Sequence, residues 1–249
     1  MKKAIKKNIT EIQILINSIP SPLFAGFMLA IFLMNLLANK GIDFNYKYAA
    51  LDCGTIVSWS VFLVMDIVTK HFGPKAATKL SFVATFVNLM LCLILFIVSI
   101  IPGSWGESFN FSDSAAINSA LDKTFGGTWY IILGSTIAFL VSAAVNNFSN
   151  YGIGKFFKNN PNGFLAYIVR SYLSTAIGQF VDNLTFSFIV SRIFFKWSII
   201  QCFMSAITTL VVELSFQIIF SRFGYIILQK WQRENVGKEY FEYIESNSK

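Results

Sequence analysis

The sequence SFVATFVNLMLCLILFIVSIIP, at residues 81–102, contains no charged side chain. A helix needs about 20 predominantly apolar residues to cross roughly 30 Å of hydrocarbon, so this stretch is long enough to span a lipid bilayer. Further charge-free stretches occupy residues 22–38, 128–145 and 199–212. Together they predict an all-α fold of the polytopic membrane class.

The composition of the whole chain agrees with this fold class. Of its 249 residues, 55% are hydrophobic and only 13% are charged, and the mean hydropathy is +0.58. Soluble domains of ordinary composition carry about 25% charged residues. The loop at residues 102–127 is predicted to lie on the outer side of the membrane, opposite the cytoplasm. The sequence predicts six transmembrane helices, at residues 22–39, 50–70, 75–101, 128–148, 165–190 and 198–222.

The net charge of +7 is distributed unevenly along the chain. Basic residues are most frequent before the first span, between the second and third, after the fourth and after the sixth. Because loops rich in lysine and arginine stay in the cytoplasm, we expect a multi-pass protein of the cell membrane with both termini inside. The charge then reflects topology, and no nucleic-acid partner is expected. The predicted partners are the bilayer and a small-molecule substrate, while a homodimer is left open.

The two terminal regions differ from the predicted spans. Residues 1–21 form a predicted amphipathic helix at the cytoplasmic face, because isoleucines recur there at helical spacing opposite lysines. Residues 22–229 form the predicted transmembrane domain, and residues 230–249 a polar cytoplasmic tail. The three cysteines are isolated and lack the spacing of a metal site or a redox pair, so no metal and no cofactor are predicted.

Polar residues interrupt the predicted fifth span. Arg170, Gln179, Asp182 and Asn183 all occur in this segment, and the sixth span contains Glu213. An ionisable side chain at the bilayer centre costs about 2.5–3.5 kcal/mol, so such residues usually face a partner or a water-filled cavity. Packing between helices does not require two acids and an amide, and we therefore predict a functional polar cavity.

The chemistry of the polar residues favours a planar heterocycle as the ligand. Carboxylates accept hydrogen bonds from ring N–H and amino groups, amides pair with amide edges, and Trp59 or Phe62 could stack on the ring. Such a cavity suits a sugar or a large lipid less well. The predicted substrate-binding residues are Trp59, Phe62, Asp66, Asn88, Asn146, Arg170, Ser174, Gln179, Asp182 and Glu213.

Several of these residues have a simpler interpretation. Asp66 and Lys70 are spaced i, i+4 and could form only a surface ion pair. Arg170 could extend to the interface or reach a carboxylate in the helix bundle. His71 is expected at the interface.

Two segments resemble a known family. The first is FLVMDIVTKHFGPKAA at residues 62–77, and the second is RSYLSTAIGQFVDNLTF at residues 170–186. They are similar to the Asp-Ile/Val-x-Thr-x-x-Tyr/Phe-Gly and Arg-x3-Ser-x4-Gln-x2-Asp-x3-Phe elements of the VUT family of queuosine precursor and vitamin uptake transporters. The number of spans and the order of the two motifs agree with this family over residues 22–222.

The resemblance implies inward transport of a 7-deazaguanine precursor of the tRNA base queuosine. It implies roles for motif residues Asp66, Thr69, Gly73, Arg170, Ser174, Gln179, Asp182 and Phe186. The chain departs from the common pattern at Lys70, where relatives have an acid, and at Ala143 and Asn146, where many have Gln and Asp. These departures leave fewer recognition groups and would suit a different base or vitamin.

Two other classes of protein share features with this chain. A vitamin-binding substrate subunit of an energy-coupling-factor importer also has six spans, but Ala25 and Ala30 do not give the four-residue repeat of small residues with which such subunits dock. An intramembrane aspartyl protease would use Asp66 and Asp182, but residues 178–182 lack the Gly-x-Gly-Asp signature. The chain is therefore predicted not to be an enzyme.

Overall fold

The computed structural model describes residues 2–42, 44, 51–106, 109, 112–154 and 164–247. A short antiparallel pair, β1 (Gly41–Ile42) and β2 (Leu51–Asp52), sets Gly41 opposite Asp52. A π-helix, Ser187–Ser191, follows the seventh helix directly. The α-helices are α1 (Lys2–Ser18), α2 (Ser21–Leu37), α3 (Thr55–Phe72), α4 (Pro74–Ile100), α5 (Ser114–Gly126), α6 (Thr128–Gly154), α7 (Phe164–Phe186), α8 (Arg192–Phe194), α9 (Ile199–Arg233) and α10 (Lys238–Asn247). The predicted all-α class is confirmed.

Six of these helices, α2, α3, α4, α6, α7 and α9, coincide with the six predicted spans. Within the described part of the chain, residues 55–72, 74–100, 114–142 and 199–220 form helices long and apolar enough to cross a membrane. A fifth crossing would combine residues 6–18 and 21–37, which meet at a bend of 108°. The polytopic membrane class is confirmed, and the count of six remains a prediction.

The predicted loop at residues 102–127 contains a helix. Helix α5 occupies its second half and is separated from α6 by Gly127 alone. Trp105 holds α5 in place, because its indole Nε1 donates to Asp122 Oδ1 at 2.9 Å and its backbone N–H to Asn118 Oδ1 at 2.7 Å. The sequence did not predict this helix because its small and polar side chains form no long apolar stretch.

The chain divides into two compact units. Unit 1 consists of Met1–Met34, Ile56–Met90 and Ser215–Lys249, and unit 2 of Asn35–Thr55 and Leu91–Leu214. In unit 1, helix α3 ends at Gly73, whose φ of 88° is a conformation that favours glycine, and Pro74 begins α4.

The core of unit 1 includes the apolar face of α1. Leu15 and Ile19 are buried together with Val68, Leu80 and Trp231. A helix is thus present at Lys2–Ser18, and Leu15 on its apolar face packs against protein, whereas Ile9 is 51% exposed. Its position at the cytoplasmic face remains a prediction. Burial of the packed side chains removes them from water, which contributes most of the favourable free energy of packing.

A buried ion pair fixes α1 to two other helices of unit 1. Glu11, only 9% exposed, pairs with the Lys79 ammonium of α4. It also accepts a hydrogen bond from the Tyr240 hydroxyl of α10 at 3.4 Å. Burial, the Glu11 charge and this hydrogen bond together raise the pKa of Tyr240 to about 12, so the phenol remains protonated and a donor at neutral pH.

The turn between α9 and α10 is held by His71. Its Nε2 lies 2.8 Å from the carbonyl oxygen of Val236, and a carbonyl can only accept, so Nε2 carries a hydrogen. The imidazole also meets Phe72, Trp231 and Phe241 edge-on. His71 thus has a structural role in unit 1.

In unit 2, α6 and α7 pack along one another, and the π-helix continues this contact. Buried residues Ala38, Ile131 and Val190 form an apolar cluster at this end. Gly134 of α6 lies directly against Val190, where an added Cβ would overlap the Val190 Cγ2 methyl group. The absence of a side chain at Gly134 allows the close approach.

Asp52 lies in unit 2, shortly before the start of α3. Its environment should make the stability of the protein depend on pH. Its Oδ1 accepts the Gly54 N–H at 2.8 Å. Burial nevertheless raises the pKa of Asp52 to about 6, although hydrogen bonds from the backbone of Gly54 and Thr55 oppose the shift. The folded state therefore binds more protons than the unfolded state between about pH 4 and pH 6.

We expect protonated Asp52 to stabilise the folded state. This stabilisation should be complete below pH 4 and should disappear as the pH rises through 6. The raised pKa of Asp52 corresponds to a decrease of up to about 3 kcal/mol in the free energy of unfolding over this pH range. Asp52→Asn keeps an oxygen acceptor for Gly54 but cannot titrate, so its unfolding free energy should lack this decline. Unfolding of purified protein in detergent at pH 4, 5, 6 and 7 measures the difference. Equal pH slopes for the two proteins would contradict the assignment.

Candidate functional site

Five polar residues of unit 2 come together from three helices. Gln179, Asp182 and Asn183 lie on one face of α7, since residues three and four apart are neighbours on a helix. Ser142 of α6 lies 2.9 Å from Asp182 Oδ1. The Asn183 amide donates to Glu213 Oε2 of α9 at 3.1 Å. These five residues are called the polar cluster.

Three members of the polar cluster are buried, and Asp182 and Asn183 are partly buried. Gln179 is 3% exposed, Glu213 1% and Ser142 8%. Neither amide atom of Gln179 has a hydrogen-bond partner among the residues that the structure describes. An unsatisfied buried polar group costs about 1–3 kcal/mol, and such a group in a native protein calls for an explanation. A ligand that pairs with the amide provides one.

Asp182 has no ion-pair partner among the side chains that the structure describes. Residues 128–154, which form α6, include no charged side chain at all. The hydroxyl of Ser142 is therefore its principal partner on α6.

Three predicted site residues have side chains outside the described part of the structure. These are Asn146 on α6 and Arg170 and Ser174 on α7. Their backbones are helical. Arg170 precedes Asp182 by twelve residues on the same helix, which is about 18 Å along the axis at 1.5 Å per residue.

The remaining predicted site residues belong to unit 1. Trp59 stacks on Phe216 at 5.2 Å and on Phe220 at 4.4 Å between ring centroids. Phe62 is half-buried on α3. Asn88 is 5% exposed, and its Oδ1 has no partner in the described ranges.

Asp66 forms the i, i+4 ion pair with Lys70 that its spacing allows. The Lys70 Nζ and Asp66 Oδ2 atoms are 3.6 Å apart, and the side chains are 45% and 52% exposed. Exposed pairs of this kind contribute about 0–1 kcal/mol. The structure thus places Asp66 in a surface ion pair of unit 1 and places Gln179, Asp182 and Glu213 in unit 2.

Sequence reasoning did not include two members of the cluster among the site residues. Ser142 belongs to a row of polar residues on α6 with Ser135, and this helical spacing was the available signal. Asn183 stands next to Asp182, but its pairing with Glu213 depends on how α7 and α9 approach each other.

Comparison with known proteins identifies a family for this chain. The model of a family described as "Putative vitamin uptake transporter" matches residues 52–227. The match covers more than half of the chain and includes the polar cluster and both motifs. Searches of curated proteins and of solved structures found no match. The chain, a multi-pass membrane protein, therefore belongs to the Putative vitamin uptake transporter family.

Proposed function

We propose that this protein imports a queuosine precursor, a 7-deazaguanine-type nucleobase, and that the polar cluster of unit 2 recognises the edge of the base. The observation that carries the proposal is the buried Gln179 amide, whose donor and acceptor both lack partners among the described residues. Membership of a transporter family supports the transport step.

The chemistry of the cluster matches a guanine-like edge. Such an edge presents ring N–H and amino donors beside a carbonyl acceptor. A glutamine amide offers one acceptor oxygen and two N–H donors side by side, so it can form two hydrogen bonds with a base. The Asp182 carboxyl group lies one helical turn away on the same face of α7 and adds a further polar partner.

The polar cluster also has an energetic reason to bind a base. The unsatisfied Gln179 amide costs about 1–3 kcal/mol, and a base that pairs with it recovers this free energy. An apolar ligand would leave the amide unsatisfied. The site therefore discriminates in favour of ligands that carry both a donor and an acceptor.

The first test measures uptake of radiolabelled precursor into cells that lack their own transporter. We expect the native protein to take up the precursor. Gln179→Ala should raise the precursor concentration needed for half-maximal uptake about tenfold, because a tenfold weaker binding corresponds to about 1.4 kcal/mol for the lost pairing. Gln229→Ala, at a half-buried glutamine near the end of α9, is the matched control and should behave as the native protein. Uptake no greater than in vector controls would defeat the proposal.

A thermal-shift panel with purified protein tests the ligand class. We expect 7-deazaguanine bases to stabilise the native protein, because a ligand that binds the folded state raises its stability by mass action. Biotin and thiamine should give no shift. If Gln179→Ala responded to the bases as strongly as the native protein, the role of Gln179 would be wrong.

The family's description favours one second candidate, a vitamin-binding substrate subunit of an energy-coupling-factor importer. Such a subunit would respond to a vitamin in the thermal-shift panel. It would also copurify with a transmembrane coupling protein and ATPases and would give no uptake without them.

A further inference from the structure

We propose that α1 binds anionic phospholipids at the membrane surface, with a row of isoleucines against the acyl chains and Lys6 among the headgroups. The proposal concerns a surface of unit 1 that the proposed transport function does not use. It follows from which sides of α1 the protein covers and from the charges on the side that it leaves open.

Three isoleucines form one line along α1. Ile9, Ile12 and Ile16 recur at spacings of three and four residues, which places them on the same side of the helix. Ile9 is 51% exposed, and Ile12 and Ile16 are half-buried. They lie outside the described apolar core of unit 1, to which Leu15 and Ile19 belong. These three residues are called the isoleucine stripe.

Helix α10 packs against a different side of α1. The Tyr240 hydroxyl donates to Glu11 at 3.4 Å, and the Tyr243 hydroxyl to the Lys7 carbonyl at 3.2 Å. At about 100° per residue, the side of α1 that carries Lys7 and Glu11 is centred about 150° from the isoleucine stripe. Helix α10 therefore leaves the stripe uncovered.

The charges of the two helices have opposite signs. Apart from Glu11, which pairs with Lys79, the charged residues of α1 are all lysines. Helix α10 carries one lysine and three glutamates, at positions 239, 242 and 245. A surface of anionic lipid attracts the first helix and repels the second. The side of α1 that faces away from α10 therefore fits such a surface.

Lys6 lies beside the isoleucine stripe. It precedes Ile9 by three residues, about one helical turn, and its side chain is exposed. It forms no ion pair with any acid whose side chain the structure describes. The Lys7 ammonium, by contrast, donates to the Asn247 carbonyl of α10 at 3.1 Å. A lysine beside an inserted apolar stripe keeps its ammonium among the headgroups, where a phosphate accepts its hydrogen bonds.

The bend between α1 and α2 orients α1 along the membrane surface. The two helices meet at 108°. Helix α2, a predicted span, has no charged residue, whereas α1 contains four lysines and one glutamate, which are costly to place in hydrocarbon. With α2 across the bilayer, α1 runs nearly parallel to the surface, as a helix must in order to lay one side on lipid.

A nitroxide spin label measures the environment of the isoleucine stripe in nanodiscs that contain phosphatidylglycerol. The label is attached at Ile9→Cys in the full chain, with the three native cysteines replaced by alanine. We expect it to collide more often with oxygen, which concentrates in lipid, than with a water-soluble nickel chelate. Ser246→Cys, at an exposed serine of α10, is the control and should show the opposite preference.

Two results would overturn the contact with lipid. A label at position 9 that collides mainly with the nickel chelate faces water. A label that is protected from both reagents is covered by protein, either a second copy of the chain or another partner.

A lipid titration of the purified protein in neutral detergent tests the headgroup preference. We expect phosphatidylglycerol to raise the melting temperature, because a ligand that binds the folded state stabilises it, and phosphatidylcholine to raise it less. Lys6→Gln should require about fivefold more phosphatidylglycerol for the half-maximal shift, which is the contribution of one lysine near an anionic surface. Lys123→Gln, at an exposed lysine of α5, is the matched control and should behave as the native protein.

The titration also has outcomes that contradict the proposal. Equal stabilisation by the two lipids would overturn the preference for anionic headgroups, and so would equal responses of Lys6→Gln and Lys123→Gln. High salt should weaken the effect of phosphatidylglycerol, because salt screens exposed charges. An effect that salt leaves unchanged would show that the lysine charge does not cause it.

Discussion

Replacement of Gly134 by valine should destabilise the protein by about 3 kcal/mol or more, the upper range for forcing extra methyl groups into a packed core. A Cβ at this position would overlap Val190 Cγ2 and would also lie 3.4 Å from Ile189 Cγ2. Val190 is fully buried in the π-helix, so a side chain at position 134 would have to displace a packed residue. The π-helix would therefore have to separate from α6.

The matched control is Gly26→Ala on α2. Apart from its chain neighbours and the nearby backbone of its own helix, no described atom lies within 4 Å of a Cβ built there. Alanine in a helix is favoured over glycine by about 1 kcal/mol, so this variant should be slightly more stable than the native protein. Unfolding of the purified proteins by denaturing detergent compares them. If Gly134→Val were as stable as Gly26→Ala, the close approach of α6 to the π-helix would be wrong.

The second large effect is expected at Glu11. Glu11→Ala leaves the Lys79 ammonium, only 24% exposed, without its carboxylate, and leaves the Tyr240 hydroxyl without its acceptor. Removal of one partner of a buried pair costs about 3–5 kcal/mol, and the partial exposure of Lys79 places this variant near the lower value. The same unfolding measurement quantifies the loss.

Two further variants isolate the charge effect. Glu242→Ala breaks the Lys238–Glu242 pair, whose atoms are 3.7 Å apart on side chains 75% and 64% exposed, and should change stability very little. The double variant Glu11→Leu with Lys79→Met removes both buried charges together and should recover most of the loss. A double variant as unstable as Glu11→Ala would show that the charge is not the cause.

Much of the helical architecture followed from local sequence. The charge-free stretches predicted α2, α4, α6 and α9 because a helix in lipid needs a continuous apolar surface. The placement of Gln179 and Asp182 on one face of α7 also followed from their spacing, which fixes their angular separation on any helix.

Contacts between helices were less predictable. The Ser142–Asp182 contact depends on the rotation of α6 against α7, which no single helix specifies. Trp59 was predicted to stack on a substrate, whereas in unit 1 it stacks on Phe216 and Phe220. The π-helix at Ser187–Ser191 has no sequence pattern of its own, since it results from one extra residue accommodated by local packing.

The contacts of α1 have a consequence for biosynthesis. The Lys7 ammonium donates to the Asn247 carbonyl at 3.1 Å, and the Tyr243 hydroxyl to the Lys7 carbonyl at 3.2 Å, across 240 and 236 residues of sequence. At translation rates of about 5–20 residues per second, α1 leaves the ribosome roughly 10–50 s before α10 exists. During that interval its isoleucines and leucine need a temporary cover, which the lipid headgroup region or a chaperone would provide.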